Sequence, residues 1–208
     1  MGRLQTFDHG VVVQAARDLF WNKGYDAASL ADLEAATGLG RSSLYHAFGS
    51  KRGLFDAAVT DYLETIIRPR LSGLRSGATD ASALLDYFGS LARATAAQAS
   101  DSVQIGCLLV NCAAGLAAHD DPSRAVVEGY RIELSAALRH ALVSASVAAP
   151  AAAAAPIDAN AVLDERVRTL ASLSMSAMLI ARVNRTEAIA LLNTASNQVR
   201  VWFPGPTH

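Results

Sequence analysis

The sequence predicts an all-α protein of about nine helices, a small three-helix unit followed by a larger helical domain. Three observations lead there. Apolar residues recur at helical spacing along nearly the whole chain, and no stretch alternates as a strand does. Residues that favour helix starts, such as Asp8, Ser29, Ser50, Asp80 and Asp121, stand ahead of these stretches. Residues that stop helices, such as Gly24, Gly38, Gly49 and Pro69, follow them.

Asp8 is expected to cap the first helix, with Phe7 and Val12 closing a hydrophobic staple across the start. Val12, Ala16, Leu19 and Phe20 share one face, and Gly24 supplies a left-handed stop. Ser29 opens a short second helix. Asp32 completes a capping-box-like pair, Leu30 and Leu33 face inward, and Gly38 ends the helix. Leu39 and Gly40 connect it to a third helix, Arg41 to Phe48, whose inward residues are Leu44 and Phe48. Ser50 caps a fourth helix from Lys51. Its stripe of Phe55, Val59, Tyr62 and Ile66 runs until Pro69 ends or kinks it.

Ser72 to Thr79 reads as a loop, after which Asp80 caps a helix carrying Leu84, Phe88 and Leu91. Val103 to Ala118 is apolar almost all round and is expected to form one central buried helix. Asp121-Pro122 reads as a cap followed by proline at the first helical position of the next. Val127, Tyr130, Leu134, Leu138 and Ala141 hold that helix in register. Pro150 to Pro156 encloses five alanines and is taken as a linker. Two helices, near Asp158 to Arg182 and Thr186 to Trp202, complete the chain, and Pro204 to His208 reads as frayed.

With 208 residues the chain can bury a sizeable core, and its 18% charged content argues against disorder. A net charge of −1 excludes a globally basic coat for nucleic acid but leaves room for a local basic patch. Two cysteines exclude a disulfide scaffold and a four-cysteine zinc site. The start lacks a signal-peptide stretch, and the apolar run from Ile105 to Ala118 is too short to span a bilayer. The expected compartment is therefore cytoplasmic, with reduced thiols and no membrane partner.

Function is most legible between Ser29 and Lys51. Two short helices joined by a glycine-containing turn have the geometry of a helix-turn-helix, whose second helix lies in the DNA major groove. On that second helix Arg41, Ser42, Ser43, Tyr45 and His46 point outward and can hydrogen-bond. Arg41 can reach guanine or a phosphate, and the hydroxyls suit either. Lys51, at the start of the fourth helix, adds its charge to the exposed amides there, a phosphate-attracting arrangement. From Gly40 to Leu54 the charged residues are Arg41, Lys51 and Arg52, with no acid among them.

The ordered string Phe20-Trp21-Asn22-Lys23-Gly24-Tyr25, Ser29-Leu30-Ala31-Asp32-Leu33, Gly38-Leu39 and Ser43 to Lys51, with Leu54-Phe55, resembles the TetR family of transcriptional regulators. The resemblance covers about the first 60 residues. It implies that residues 1–50 form a helix-turn-helix domain and residues 51–208 a helical effector-binding and dimerisation domain, linked by the helix from 51. It also implies operator contact by Arg41, Ser42, Ser43, Tyr45 and His46, with Tyr45 and Lys51 on phosphates. Three positions depart from the family pattern. Glu34 replaces a common alanine and reads as solvated, Gly40 replaces a common serine cap, and Ala47 replaces a frequent aromatic.

The same resemblance implies a homodimer on a palindromic operator, probed by two recognition helices about 34–36 Å apart. It further implies repression relieved by a small molecule held between the helices after residue 80. Phe88, Cys107, Asn111, Tyr130, Met175 and Met178 are the candidate effector contacts, apolar walls with one amide. The helices from 158 to 202 are expected to pair the subunits through Leu163, Val167, Leu170, Ser174, Ser176, Ala177, Ile180, Ala181, Ile189, Leu192 and Val199, with some of these residues folding onto the subunit's own core instead.

Alternatives stay open: Cys107 as a thiol sensor of electrophiles or oxidants, or a second domain that only dimerises or binds a protein partner. No basic residue near Cys107 in sequence favours its thiolate, and Cys112 lies about 140° away around an ideal helix, so a buried structural thiol is the simpler reading. Cys107, His119 and Asp120 could supply nucleophile, base and orienter. Without a phosphate loop, paired metal ligands or a nucleophile elbow, the expectation is no enzyme, no cofactor and no metal.

Overall fold

The computed structural model describes residues 7–75, 80–99, 102, 104–113, 115–148 and 159–204, and all regular structure among them is helical. The first unit comprises α1 (His9–Lys23), α2 (Leu30–Thr37) and α3 (Arg41–Phe48). Then come α4 (Lys51–Tyr62), α5 (Arg68–Ser72), α6 (Ser82–Ala97), α7 (Leu108–Ala113), α8 (Asp121–Ala148), α9 (Ala159–Ile180) and α10 (Arg185–Trp202). A π-helical turn, Leu63–Ile67, joins α4 to α5 without a break, so the described residues form nine separate rods. The linker at Pro150 to Pro156, the helix start at Asp158, residues 76–79 and the tail from Gly205 lie outside the described residues.

Local chemistry explains most boundaries. The Asp8 carboxylate accepts the Gly10 amide at 2.8 Å and caps α1. Gly24 follows α1 at φ 79°, ψ 168°, so the stop has positive φ without being left-handed helical. Ser29 and Asp32 form a reciprocal capping box on α2. Pro69 lacks an amide hydrogen and crowds the carbonyl four residues back, and the turn before it widens to the π form rather than ending the helix.

Several boundaries differ from those expected. Ala81, not Asp80, stands at the N-cap of α6, with the Asp80 carboxylate accepting the Ser82 amide at 2.9 Å, and Ser72 closes α5 ahead of a 3₁₀ turn, Gly73–Arg75, where a loop was expected. The cap of α8 is Asp120, whose carboxylate accepts the Ser123 amide at 2.8 Å, so Pro122 occupies the second helical position. The run from Val103 to Ala118 is not one helix. Among its described residues only Leu108–Ala113 is α-helical, with a short 3₁₀ turn at Leu116–Ala118. Gly106 supplies the reason. Its φ of 77° breaks the helix, and a Cβ there would sit 2.4 Å from the Met178 carbonyl oxygen. The backbone therefore lies against α9 as no larger residue would allow.

One apolar core runs without interruption from the first unit into the bundle. Phe20 and Phe55 meet edge to face at 5.1 Å, and Trp21 and Tyr62 at 4.9 Å. The junction is also bolted by polar contacts. The Trp21 indole donates to Ile105 O at 3.1 Å, Gln104 to Asp18 at 3.1 Å, and Arg182 to the carbonyls of Trp21 and Asn22 at 2.9 and 2.6 Å. Above it, α10 packs on α6 and α9, and α8 on α7 and α9. No helix of the described residues is long and apolar enough to cross a membrane.

Candidate nucleic-acid interface

The outward face of α3 is built from within. Leu44, 4% exposed, and Leu39 anchor the turn and the helix on Leu33 and the α1–α4 core. That anchoring turns Arg41, Ser42, Ser43, Tyr45 and His46 to solvent, and each is exposed. Tyr45 presents 38% of its surface, a large exposure for an aromatic, and the Arg41 guanidinium lies 5.6 Å from its ring. Lys51 is half-buried on the Tyr25 ring, its ammonium 4.5 Å from the centroid. Gly53 sets the approach of α4 to α3: a Cβ there would meet the Phe48 carbonyl oxygen at 2.1 Å. Thus the six residues singled out by sequence occupy α3 and the first position of α4.

Two of the sequence expectations are corrected here. Glu34 is not merely solvated: its carboxylate reaches from α2 across the bend and accepts the Arg41 amide hydrogen. Gly40, the N-cap of α3, offers no side chain, and Glu34 does the capping in its place. The two departures from the family pattern compensate each other. Arg52 is not a free cation of the ridge. It binds Asp56 at 2.7 Å and Asp120 at 2.6 Å, tying the start of α4 to the start of α8. The hydrogen bond from Arg52, with that of Ser123, holds the Asp120 carboxyl down to about 2. Asp32 is likewise held well below its ordinary value, first by Lys23 at 2.6 Å and then by Ser29. Among the described residues neither Arg41 nor Lys51 forms an ion pair, so these two carry the unneutralised charge of the ridge.

The candidate effector contacts divide. Cys107, Tyr130 and Met178 line one cavity, together with Tyr62, Tyr87 and Ser174, which sequence reasoning passed over, and with Arg70 at its mouth. Phe88 is wholly buried beside Tyr87, their rings 5.0 Å apart, and does not line it. Asn111 and Met175 do not line it either: the Asn111 amide nitrogen is buried without a hydrogen-bond partner among the described residues, and Met175 packs partly buried against the core. The cavity has about 10 Å³ of free space, room for about one water. Cys107 is 2% exposed, and Cys112 is buried with its thiol pushed up to about 12 by desolvation. Asp120 is committed to Arg52 and to the cap of α8, while Cys107 is enclosed in the bundle.

The proposed pairing face is also corrected. Val167, Leu170, Ser174, Ala177, Ala181, Leu192 and Val199 are buried within the subunit's own core and cannot meet a second copy. Of the expected face Ser176 is exposed and Leu163, Ile180 and Ile189 are half-buried; exposed beside Ser176 are Ser172, Leu179 and Val183 at helical spacing along and just beyond α9, and Ala190, Thr194, Asn197 and Val201 on α10.

Comparison with known proteins adds the following. Residues 12–58 match the model of bacterial regulatory proteins of the tetR family. The chain is 36% identical to the HTH-type transcriptional repressor ComR of Escherichia coli K12 over 53% of its length, a match spanning about half (51%) of ComR. It is 31% identical to the uncharacterized HTH-type transcriptional regulator YezE of Bacillus subtilis 168, over 70% of this chain and 73% of YezE. A cysteine-substituted form of the TetR family transcriptional regulator CifR, solved with 26-base-pair double-strand operator DNA, superposes with a TM-score of 0.74 at 31% identity. That superposition covers 94% of this chain and 98% of CifR.

Proposed function

This chain belongs to the TetR family of transcriptional regulators, and from that premise we propose that it is a repressor that binds a palindromic operator as a homodimer. Residues 1–50 read the DNA, residues 51–208 dimerise and sense, and the protein works in the cytoplasm without catalysing a reaction. The observation that carries this reading is the face of α3: Leu44 locked inside while Arg41, Ser42, Ser43, Tyr45 and His46 stand out, with Lys51 beside them. Arg41 offers a planar donor pair for guanine or phosphate, Tyr45 a hydroxyl, and Lys51 a point charge for phosphate. A second copy packs on the exposed stripe of Ser172, Ser176, Leu179 and Val183, whose small residues allow close approach, with that of α10 beside it.

A small effector bound in the cavity beside Cys107 releases the DNA. Because the free space holds about one water, the effector has to part the helices around it. The loop carrying Cys107 is tied through Ile105 to Trp21 of α1, so that parting is passed to the DNA-reading unit. The test is gel-shift affinity for the DNA flanking its own gene. The combined variant Arg41→Ala, Tyr45→Phe, Lys51→Ala should lose binding while keeping its fold and dimer, and unchanged affinity would refute these contacts.

A thiol-based trigger is the second reading, favoured by the placement of the buried Cys107 in the cavity wall. Cys107→Ser that still leaves DNA on treatment with an electrophile or oxidant would end it.

A further inference from the structure

The cavity's chemistry is more specific than its size. Tyr62 is wholly buried; the Cys107 thiol and the Leu108 amide lie beside its hydroxyl, but neither meets it with ordinary hydrogen-bond geometry. A buried hydroxyl without a partner is costly, because it gives up its hydrogen bonds to water and regains none. Evolution seldom leaves one aimed at an internal space unless something visits it. Tyr130 lines the same space, and the Tyr87 hydroxyl shares a hydrogen bond of 3.2 Å with Ser174. Desolvation pushes all three phenols up, Tyr87 to about 12, so at neutral pH each keeps its proton and is available as a donor.

Charge points the same way. Arg68 and Arg75 both pair with Glu133, but Arg70, between them at the mouth of the cavity, forms no ion pair among the described residues. The cavity lining therefore gathers a guanidinium and phenolic donors, and the charge of Arg70 acts on all three phenols. No carboxylate lines it, and Ile67, Leu71, Leu91 and Met178 make the remaining wall apolar. A neutral apolar molecule would leave the donors unmet, and a cation would face Arg70.

We propose that this cavity takes a small organic monocarboxylate, its carboxylate held by Tyr62, Tyr130 and Arg70 and its apolar body lying along Leu71, Leu91 and Met178. This rests on the reading that the second domain binds an effector, and it names that effector's class. Charge-assisted hydrogen bonds of this kind are about twice as strong as neutral ones. Losing one donor should therefore weaken binding by roughly 10-fold or more. The ligand's entry requires the same parting of helices that loosens the Ile105–Trp21 tie.

The test uses the full chain with a series of carboxylates (acetate, isobutyrate, phenylacetate, benzoate) and neutral amides of matching shape. Thermal shift, Trp21 fluorescence and release of a bound duplex are the readouts. Expected is that a carboxylate binds and releases DNA while its amide does so at least 10-fold more weakly. Tyr62→Phe and Arg70→Met should each raise its apparent Kd by about 10-fold while leaving ligand-free DNA affinity unchanged. Equal binding of acid and amide, or carboxylate binding indifferent to both variants, overturns the proposal. Amides that bind and release DNA when acids do not would remove the anionic class and leave the effector reading standing. Silence from both series would mean a cavity that holds water alone, and both would fall.

Discussion

Replacing Lys51 by alanine isolates the phosphate contact proposed for it and gives a number that can fail. Binding to duplex DNA releases about 0.9 counterion for each phosphate neutralised, so the logarithm of affinity falls linearly with the logarithm of salt. Arg52 is consumed by Asp56 and Asp120, which leaves Arg41 and Lys51 as the unpaired cations of the α3–α4 ridge. Lys51 stands at the first position of α4, its charge added to that of the helix terminus. One contact in each protomer makes two in the proposed dimer, so Lys51→Ala should reduce the magnitude of the salt slope by about 1.8. Between 50 and 200 mM salt that is about a 12-fold smaller loss of affinity. Fluorescence anisotropy with a duplex selected from random DNA, titrated at four or five salt concentrations, reads it directly. The ammonium also rests on the Tyr25 ring at 4.5 Å, a contact worth about 0.5–1 kcal/mol to stability at such a site. Affinity lowered by one constant factor at every salt concentration, with the slope unchanged, would refute the phosphate assignment and leave Lys51 as a prop for Tyr25.

Three further outcomes test the frame that holds this ridge. Glu34→Ala removes the substitute cap of α3 and should cost about 1 kcal/mol, read as a melting-temperature drop of about 2–4 °C; Gly40→Ser in the same chain should restore most of it. The Asp120 carboxyl ionises in the folded chain at about 2, below its ordinary 3.8, so its stabilisation is complete above about pH 4 and lost as pH falls toward 2. In acid titrations followed by circular dichroism, Asp120→Asn should therefore show a shallower loss of stability than wild type within that window. Gly106→Ala forces a side chain into φ 77° against the Met178 carbonyl and should cost at least about 1–2 kcal/mol, with a shift in Trp21 emission because the indole is bonded to Ile105 O.

The helix-turn-helix was legible because its determinants are local. Ser29 and Asp32 are three residues apart, Gly38 ends the helix it follows, and Leu44 sits between outward neighbours, so short-range spacing suffices to place Arg41, Ser42, Ser43, Tyr45 and His46 on one exposed face. The helices carrying Leu84, Leu134 and Leu192 were legible for the same reason, since an apolar stripe marks a buried face. The stripe does not say what buries it. Leu170, Ala177 and Leu192 were assigned to a second copy because periodicity reports burial, and burial inside the subunit looks identical. Val103 to Ala118 misled in the opposite way. Its uniform apolarity suggested a buried helix, whereas the backbone at Gly106 is shaped by contact with α9, which is distant in sequence.

The cavity and the cap of α3 were illegible for a common reason: each is assembled across a gap in the chain. Tyr62, Tyr87, Tyr130 and Ser174 come from four helices, and only the packing of those helices brings their hydroxyls to one space. Phe88 and Tyr87 are neighbours on α6 and both buried, so no one-dimensional pattern separates the ring that fills the core from the one that faces the cavity. The Glu34 cap did leave a trace. A helix that begins after glycine has amide hydrogens with no side-chain acceptor at the capping position, and an acid in the preceding helix is the nearest remedy. Read singly, Glu34 and Gly40 are two departures from a family pattern; read as an acceptor and the donor it must find, they are one. On that argument the acid belongs to the fold of the recognition helix, and reversing the pair to alanine and serine together should leave both stability and operator affinity nearly unchanged.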